Sequence, residues 1–229
     1  MRSHFNTIMF YCQVNNIDLA ATGDIRVGRK QASAVGHAYM EVGAESSINY
    51  VGEQGGGITI NATGEVKNYG QINMSSLIEG GTLTLENGSV TGDISLNSGE
   101  ININGDATVG ALTLNGGELN FAGNYTLDLD GKAVWLYDTV IHLNVDSVNE
   151  LGGNYTLFEN ASDMSSGLDS VTIQLNDGTT LQTSYDYNSG SLTVTIPEPA
   201  TATLSLLAPC GLAARRRRAS RLFAQTGRK

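Results

Sequence analysis

The chain of 229 residues has two cysteines, three prolines, one tryptophan and few positive charges ahead of its C-terminal end. Each scarcity excludes something. Cys12 and Cys210 lie near opposite ends, so no disulfide framework braces the body. Residues 1–214 hold six Lys and Arg against 23 Asp and Glu, a net charge of −17. A body this acidic repels phosphate backbones and anionic lipid, and nucleic-acid binding is set aside. Between residues 68 and 196 the only Lys or Arg is Lys132, which leaves little to grip an anionic sugar or to assist proton abstraction. Catalytic motifs are missing as well: there is no nucleophile elbow, zinc motif, phosphate loop or dinucleotide fingerprint. His4, His37 and His142 are far apart, and none has a metal-ligand neighbour at helical or hairpin spacing. No catalytic residue, metal site or cofactor is therefore expected.

What the chain has instead is glycine, 28 residues of it, with abundant Asn, Ser and Thr, a composition that points toward repetitive all-β structure. A repeat is visible at an offset of 18. Ile94-Ser-Leu-Asn-Ser-Gly-Glu-Ile-Asn-Ile103 aligns with Leu112-Thr-Leu-Asn-Gly-Gly-Glu-Leu-Asn-Phe121, and Ser76 to Leu85 fits the same frame one step earlier. Ile58-Thr-Ile-Asn, then Gly64-Glu65-Val66 after a one-residue adjustment, continue it backward to Met40-Glu-Val42 and Ile48. Each unit carries two segments of alternating apolar and polar residues separated by Asn and Gly. Alternation at period two predicts half-buried strands, and Asn and Gly supply the positive φ of sharp corners.

A unit of 18 residues cannot bury its apolar face alone, whereas stacked units can, each strand pairing with its copies at about 4.8 Å. The predicted fold is all-β, a parallel β-solenoid (β-helix) of about 18-residue coils. Asn61, Glu79, Asn97 and Asn115 recur at intervals of 18 and should form a structural ladder at one corner. Glu100 and Glu118 should also stack, and like charges facing each other on adjacent strands call for solvent exposure or a bound cation. Calcium is the alternative that Asp93, Asp106, Asp128 and Asp130 keep open.

From about Tyr125 the 18-residue register fades. Longer strand-like runs follow: Val134 to Tyr137, Val140 to Val145, Tyr155 to Phe158, Val171 to Leu175, Leu181 to Tyr185 and Leu192 to Ile196, separated by turn signals such as Asn176-Asp177-Gly178. A stacked fold needs a terminal cap, and residues 125–196 are assigned that role. Trp135 and Tyr137 are assigned to core or cap packing rather than to a sugar-stacking platform. The divisions are thus 1–20, an atypical or truncated N-terminus; 21–124, solenoid repeats; 125–196, the β cap; 197–218, a tail of separate character; and 219–229, a basic extension.

In that tail Pro197-Glu198-Pro199 precedes an apolar segment, 200–214, and a cluster of Arg215, Arg216, Arg217 and Arg218. Prolines one residue apart keep the backbone extended and open to a protease. Fifteen residues give a helix of roughly 22 Å, short of a ~30 Å hydrocarbon core, and the arginines would hold the end in the cytoplasm. The order of parts resembles the PEP-CTERM sorting signal of Gram-negative bacteria, attached here to a repeat body similar to autotransporter passengers. The resemblance implies an exosortase-type membrane protease as partner, a transient inner-membrane intermediate held through 200–214, and delivery to the cell surface or beyond. The start, MRSHFNTIMFYCQVNN, lacks the apolar stretch and small-residue cleavage site of a signal peptide. It is read as a truncated or mis-started beginning with the true signal upstream.

The function expected from repeat and tail together is that of an exported, noncatalytic surface or extracellular-matrix protein, structural or adhesin-like, with exopolysaccharide or matrix glycans as partners. The alternative is a polysaccharide-active β-helix enzyme, a lyase or glycosidase, which would need a pair of suitably spaced carboxylates. A third reading makes the chain a fragment of a longer autotransporter-like protein.

Overall fold

The computed structural model describes residues 11–14, 18–29, 37–52, 55–137, 139–144, 155–165, 172–186 and 190–195. All of these belong to the first of two units in the chain, Met1–Ile196. Within them the protein is all-β, with 22 strands and no helix.

Most strands pair in parallel, and the pairings fall into three ladders. The first joins Ile25–Val27, Gly57–Asn61, the first half of Ser75–Leu85, the first half of Ile94–Ile103, Leu112–Leu114, Ala133–Leu136 and Asp163–Ser165. The second joins Tyr11–Val14, Ala38–Val42, Gly64–Asn68, the second halves of the two long strands, Glu118–Phe121, Val140–Leu143 and Thr172–Leu175. The third runs through Asp18–Ala21, Ser47–Tyr50, Gln71–Asn73 and Ser89–Val90, crosses by a bridge between Val90 and Val109, and continues from Ala107–Thr108 to Leu127–Asp128 and Tyr155–Glu159.

The expected partners meet: Ile94 lies opposite Leu112, and Glu100 opposite Glu118. One strand serves two ladders because its backbone bends at glycine. At Gly99 φ is +92°, and any Cβ there would collide with the Gly81 carbonyl oxygen of the neighbouring strand.

Alternation explains the core. Ile94, Leu96, Ile101 and Ile103 point inward and are buried, while Ser95 and Asn102 between them do not. Their neighbours repeat the pattern with Leu112, Leu114, Leu119 and Phe121, then Val134, Leu136, Ile141 and Leu143. Successive inward rows thus form one continuous apolar column, which removes from water what no single unit could. Phe121 meets Phe158 edge to face, with ring centroids 6.3 Å apart. At one internal corner sits a buried Asn68, whose side chain donates to the Ser89 carbonyl and accepts from the Gly70 amide. Its polar atoms are satisfied where an apolar side chain would leave the turn backbone unpaired.

The assigned division at residue 125 falls inside the parallel ladders. Leu112 pairs with Val134 and Leu119 with Ile141, and parallel pairing persists to Thr172–Leu175. Among the described residues antiparallel pairing is confined to the last two strands: Thr180–Asp186 pairs with Thr172–Leu175, and Ser191–Thr195 pairs with Tyr155–Glu159 and Thr180–Asp186. At the other boundary, the strands Tyr11–Val14 and Asp18–Ala21 already belong to ladders, although the sequence placed residues 1–20 apart. The turn before the antiparallel pair is fixed locally. Asp177 accepts hydrogen bonds from Thr179, backbone N–H at 2.8 Å included, and these hold its carboxyl below the usual carboxylate range.

Candidate functional site

On the outer face of the second ladder, the residues between the buried ones are Asn102, Asn120, His142 and Gln174, one per strand in direct register. Immediately beyond each strand comes a second row: Glu86, Asn104, Ala122, Asn144 and Asn176. The first four are set by equivalent backbone hydrogen bonds from Glu86 N to Asn68 O, Asn104 N to Leu85 O, Ala122 N to Ile103 O and Asn144 N to Phe121 O. In this row every side chain is a carboxylate or an amide except that of Ala122. The missing amide leaves a notch. Around it opens a groove of about 370 Å3 lined by Asn102, Asn104, Glu118, Asn120, Ala122, His142, Asn144 and Asn176.

Hydrogen bonds along the stack hold the lining in place. Asn120 Nδ2 donates to Asn102 Oδ1 at 2.9 Å, Asn104 Nδ2 to Glu86 Oε1 at 2.9 Å and Asn176 Nδ2 to Asn144 Oδ1 at 2.8 Å. His142 Nε2 stands 3.9 Å from Glu118 Oε2, both side chains partly exposed. These two are the ionisable residues of the groove. Its lining contains no hydroxyl, thiol or amine, so the wall supplies hydrogen-bond donors and acceptors and no nucleophile beyond the single carboxylate and imidazole.

The ladder anticipated from Asn61, Glu79, Asn97 and Asn115 is joined differently. Asn115 Nδ2 donates to Asn97 Oδ1 at 2.9 Å. Toward Glu79 the register slips, and Ser98 rather than Asn97 lies opposite it, because the backbone bulges at this corner. Asn61 faces Glu79 and Gly80 across another irregularity, is buried, and donates to the Gly28 carbonyl at 3.3 Å. Ladders that the sequence reading passed over are those of the groove and of the third ladder, where Asn73 donates to Asn49 and Thr91 to Asn73.

Trp135 and Tyr137 do not enter the core. Val134 and Leu136 take the inward positions, so their neighbours face outward, with Tyr137 45% exposed. Of the aspartates considered for calcium, Asp128 Oδ1 accepts from the Asp130 amide and from Asn160 Nδ2, and Asp106 Oδ1 accepts from the Thr126 amide. Among the described residues no group of three or more His, Cys, Asp or Glu could hold a metal ion. Pro197, Glu198, Pro199, the segment 200–214 and Arg215 to Arg218 lie outside the described residues. No family model matches the chain, nor does any curated protein or solved structure.

Proposed function

We propose that this protein is an exported, noncatalytic surface or matrix component, a parallel β-solenoid whose outer faces meet exopolysaccharide or matrix glycans. The tail from Pro197 to Arg218 directs it there through an exosortase-type protease. The observation that carries this reading is the repetition itself. Parallel strands at an offset of 18 bring like polar residues side by side on the outer face, as with Asn102 beside Asn120 and Asn97 beside Asn115. Such a surface is suited to many weak polar contacts with a repetitive partner and not to one reactive event.

A polysaccharide-cleaving role draws less support from the groove. Glycosidases of the usual kind place two carboxylates on opposite sides of the scissile bond. Here Glu118 is the one carboxylate of the lining, and its neighbour Glu100 sits beside it on the same face of the adjacent strand. Mass spectrometry of the mature protein from the native envelope fraction tests the proposal. The expected form ends near Pro197-Glu198-Pro199, and a mature form that keeps Arg215 to Arg218 overturns the sorting role.

A further inference from the structure

We propose that the groove at Ala122 is a binding subsite for a neutral, linear polysaccharide, one sugar of which occupies the notch left by the missing amide. The inference rests on the surface-glycan reading above and gives it a place and a ligand class.

Size comes first. A volume of about 370 Å3 lies within the ~300–1,000 Å3 of sites that hold small organic groups, so a sugar ring fits where a whole folded partner does not. Chemistry narrows the class. An asparagine side chain carries both donors and an acceptor, the pairing that a sugar hydroxyl, itself donor and acceptor, can satisfy in either sense. An amide that gives one N–H to its ladder neighbour, as Asn120 does to Asn102, keeps by valence a second N–H and its carbonyl lone pairs. The ladder bond also fixes the amide's direction before a ligand arrives, which lowers the entropic cost of binding.

Charge excludes the competitors. The lining holds Glu118 and no Lys or Arg, on a body of net −17, so uronate-rich or phosphorylated chains are repelled. A hard cation takes six to eight oxygens and wants several carboxylates, whereas the lining offers one, and the amide oxygens of Asn102 and Asn144 already accept ladder bonds. An extended peptide would need free backbone groups, and the strands beneath the groove already spend theirs on both neighbours, as Glu118–Phe121 does on Ile94–Ile103 and Val140–Leu143. The lining also lacks a Phe, Tyr or Trp ring for stacking, so a single subsite binds weakly. The outer row crosses strands every ~4.8 Å, and a ligand following it runs along the stack, gathering contacts with Asn102, Asn120 and His142 in turn.

The test is calorimetric titration of the full chain with hexasaccharides of neutral glucan and mannan, and with polygalacturonate oligomers as the anionic comparator. Ala122→Asn continues the amide row and closes the notch without changing the core. It should weaken neutral-oligosaccharide binding about tenfold, the equivalent of one or two hydrogen bonds, and leave the melting temperature unchanged. Asn120→Ala should weaken it similarly, whereas Asn73→Ala on the third ladder should not. Wild-type affinity in both folded groove variants overturns the site while leaving a glycan-binding surface protein intact. Preference for polygalacturonate overturns the neutral class. Absence of binding to every neutral hexasaccharide overturns the subsite even if the envelope form proves to be cleaved at its tail. Release of reducing ends overturns binding without catalysis.

Discussion

Strands between Gly57 and Phe121 and strands between Ala133 and Leu175 build the same ladders by different spacing. In the first region Ile58 meets Ser76, Ser76 meets Ile94 and Ile94 meets Leu112, each step being 18 residues. In the second, Leu112 meets Val134 after 22, Leu119 meets Ile141 after 22 and Ile141 meets Ile173 after 32. The buried alternation is unchanged, while the sequence separation between partners grows. What the architecture requires is therefore the inward pattern of each strand, while linking chain can lengthen at small cost because loop-closure entropy rises only logarithmically.

The comparison breaks most forcefully at the core. Leu114→Ala removes a fully buried side chain from the regular region and should cost about 2–5 kcal/mol in urea unfolding, and Leu136→Ala, its partner one step on, should cost the same. A much smaller loss at Leu136 would mean that the irregular region is not packed as an equal. Corners should separate the regions instead. Gly99→Ala strikes neighbouring backbone at a positive φ and should cost about 2–4 kcal/mol. Gly131 has φ +72° but open space around it, so Gly131→Ala should cost only the left-handed backbone penalty of about 1–2 kcal/mol. Equal midpoints for the two variants would refute the view that the corner at Gly99 is closed against a side chain while the one at Gly131 is open.

Alkali offers the mildest probe. Burial pushes the Tyr155 phenol up to about 12, and burial together with the hydrogen bond to Glu41 raises Tyr39 also, whereas residues 70–124 contain no tyrosine. A phenol whose pKa is raised by folding stabilises fully below its ordinary value near 10 and loses that contribution as pH climbs toward the folded value. Hydrogen exchange between pH 9 and 12 should therefore show Tyr155–Glu159 and Ala38–Val42 losing protection before Ile94–Ile103. Simultaneous loss would point to one cooperative transition set elsewhere.

The regular region was legible because identical residues recur at one interval, as Ile94 to Ile103 and Leu112 to Phe121 do. Beyond Tyr125 the strands themselves could be read, yet their pairing could not, since steps of 22 and 32 defeat any alignment at constant offset. The third ladder stayed hidden for another reason. Ser89–Val90, Ala107–Thr108 and Leu127–Asp128 are two residues each, too short to display alternation. The groove needed the register as well: Ala122 stands out only beside Asn104 and Asn144, and His142 comes near Glu118 from 24 positions away. Glu86, Asn104 and Ala122, like Asn102 and Asn120, stand 18 apart, and that part of the signal was available without coordinates.

A ladder of like strands invites a further strand of like pattern, which is how fibrils grow. The final pair, Thr180–Asp186 and Ser191–Thr195, reverses chain direction against Thr172–Leu175 and Tyr155–Glu159. On these two ladders an incoming parallel segment therefore finds its seat already taken by a strand of opposite polarity. On the second and third ladders, the repetition that could recruit further like strands thus meets a strand that does not continue it.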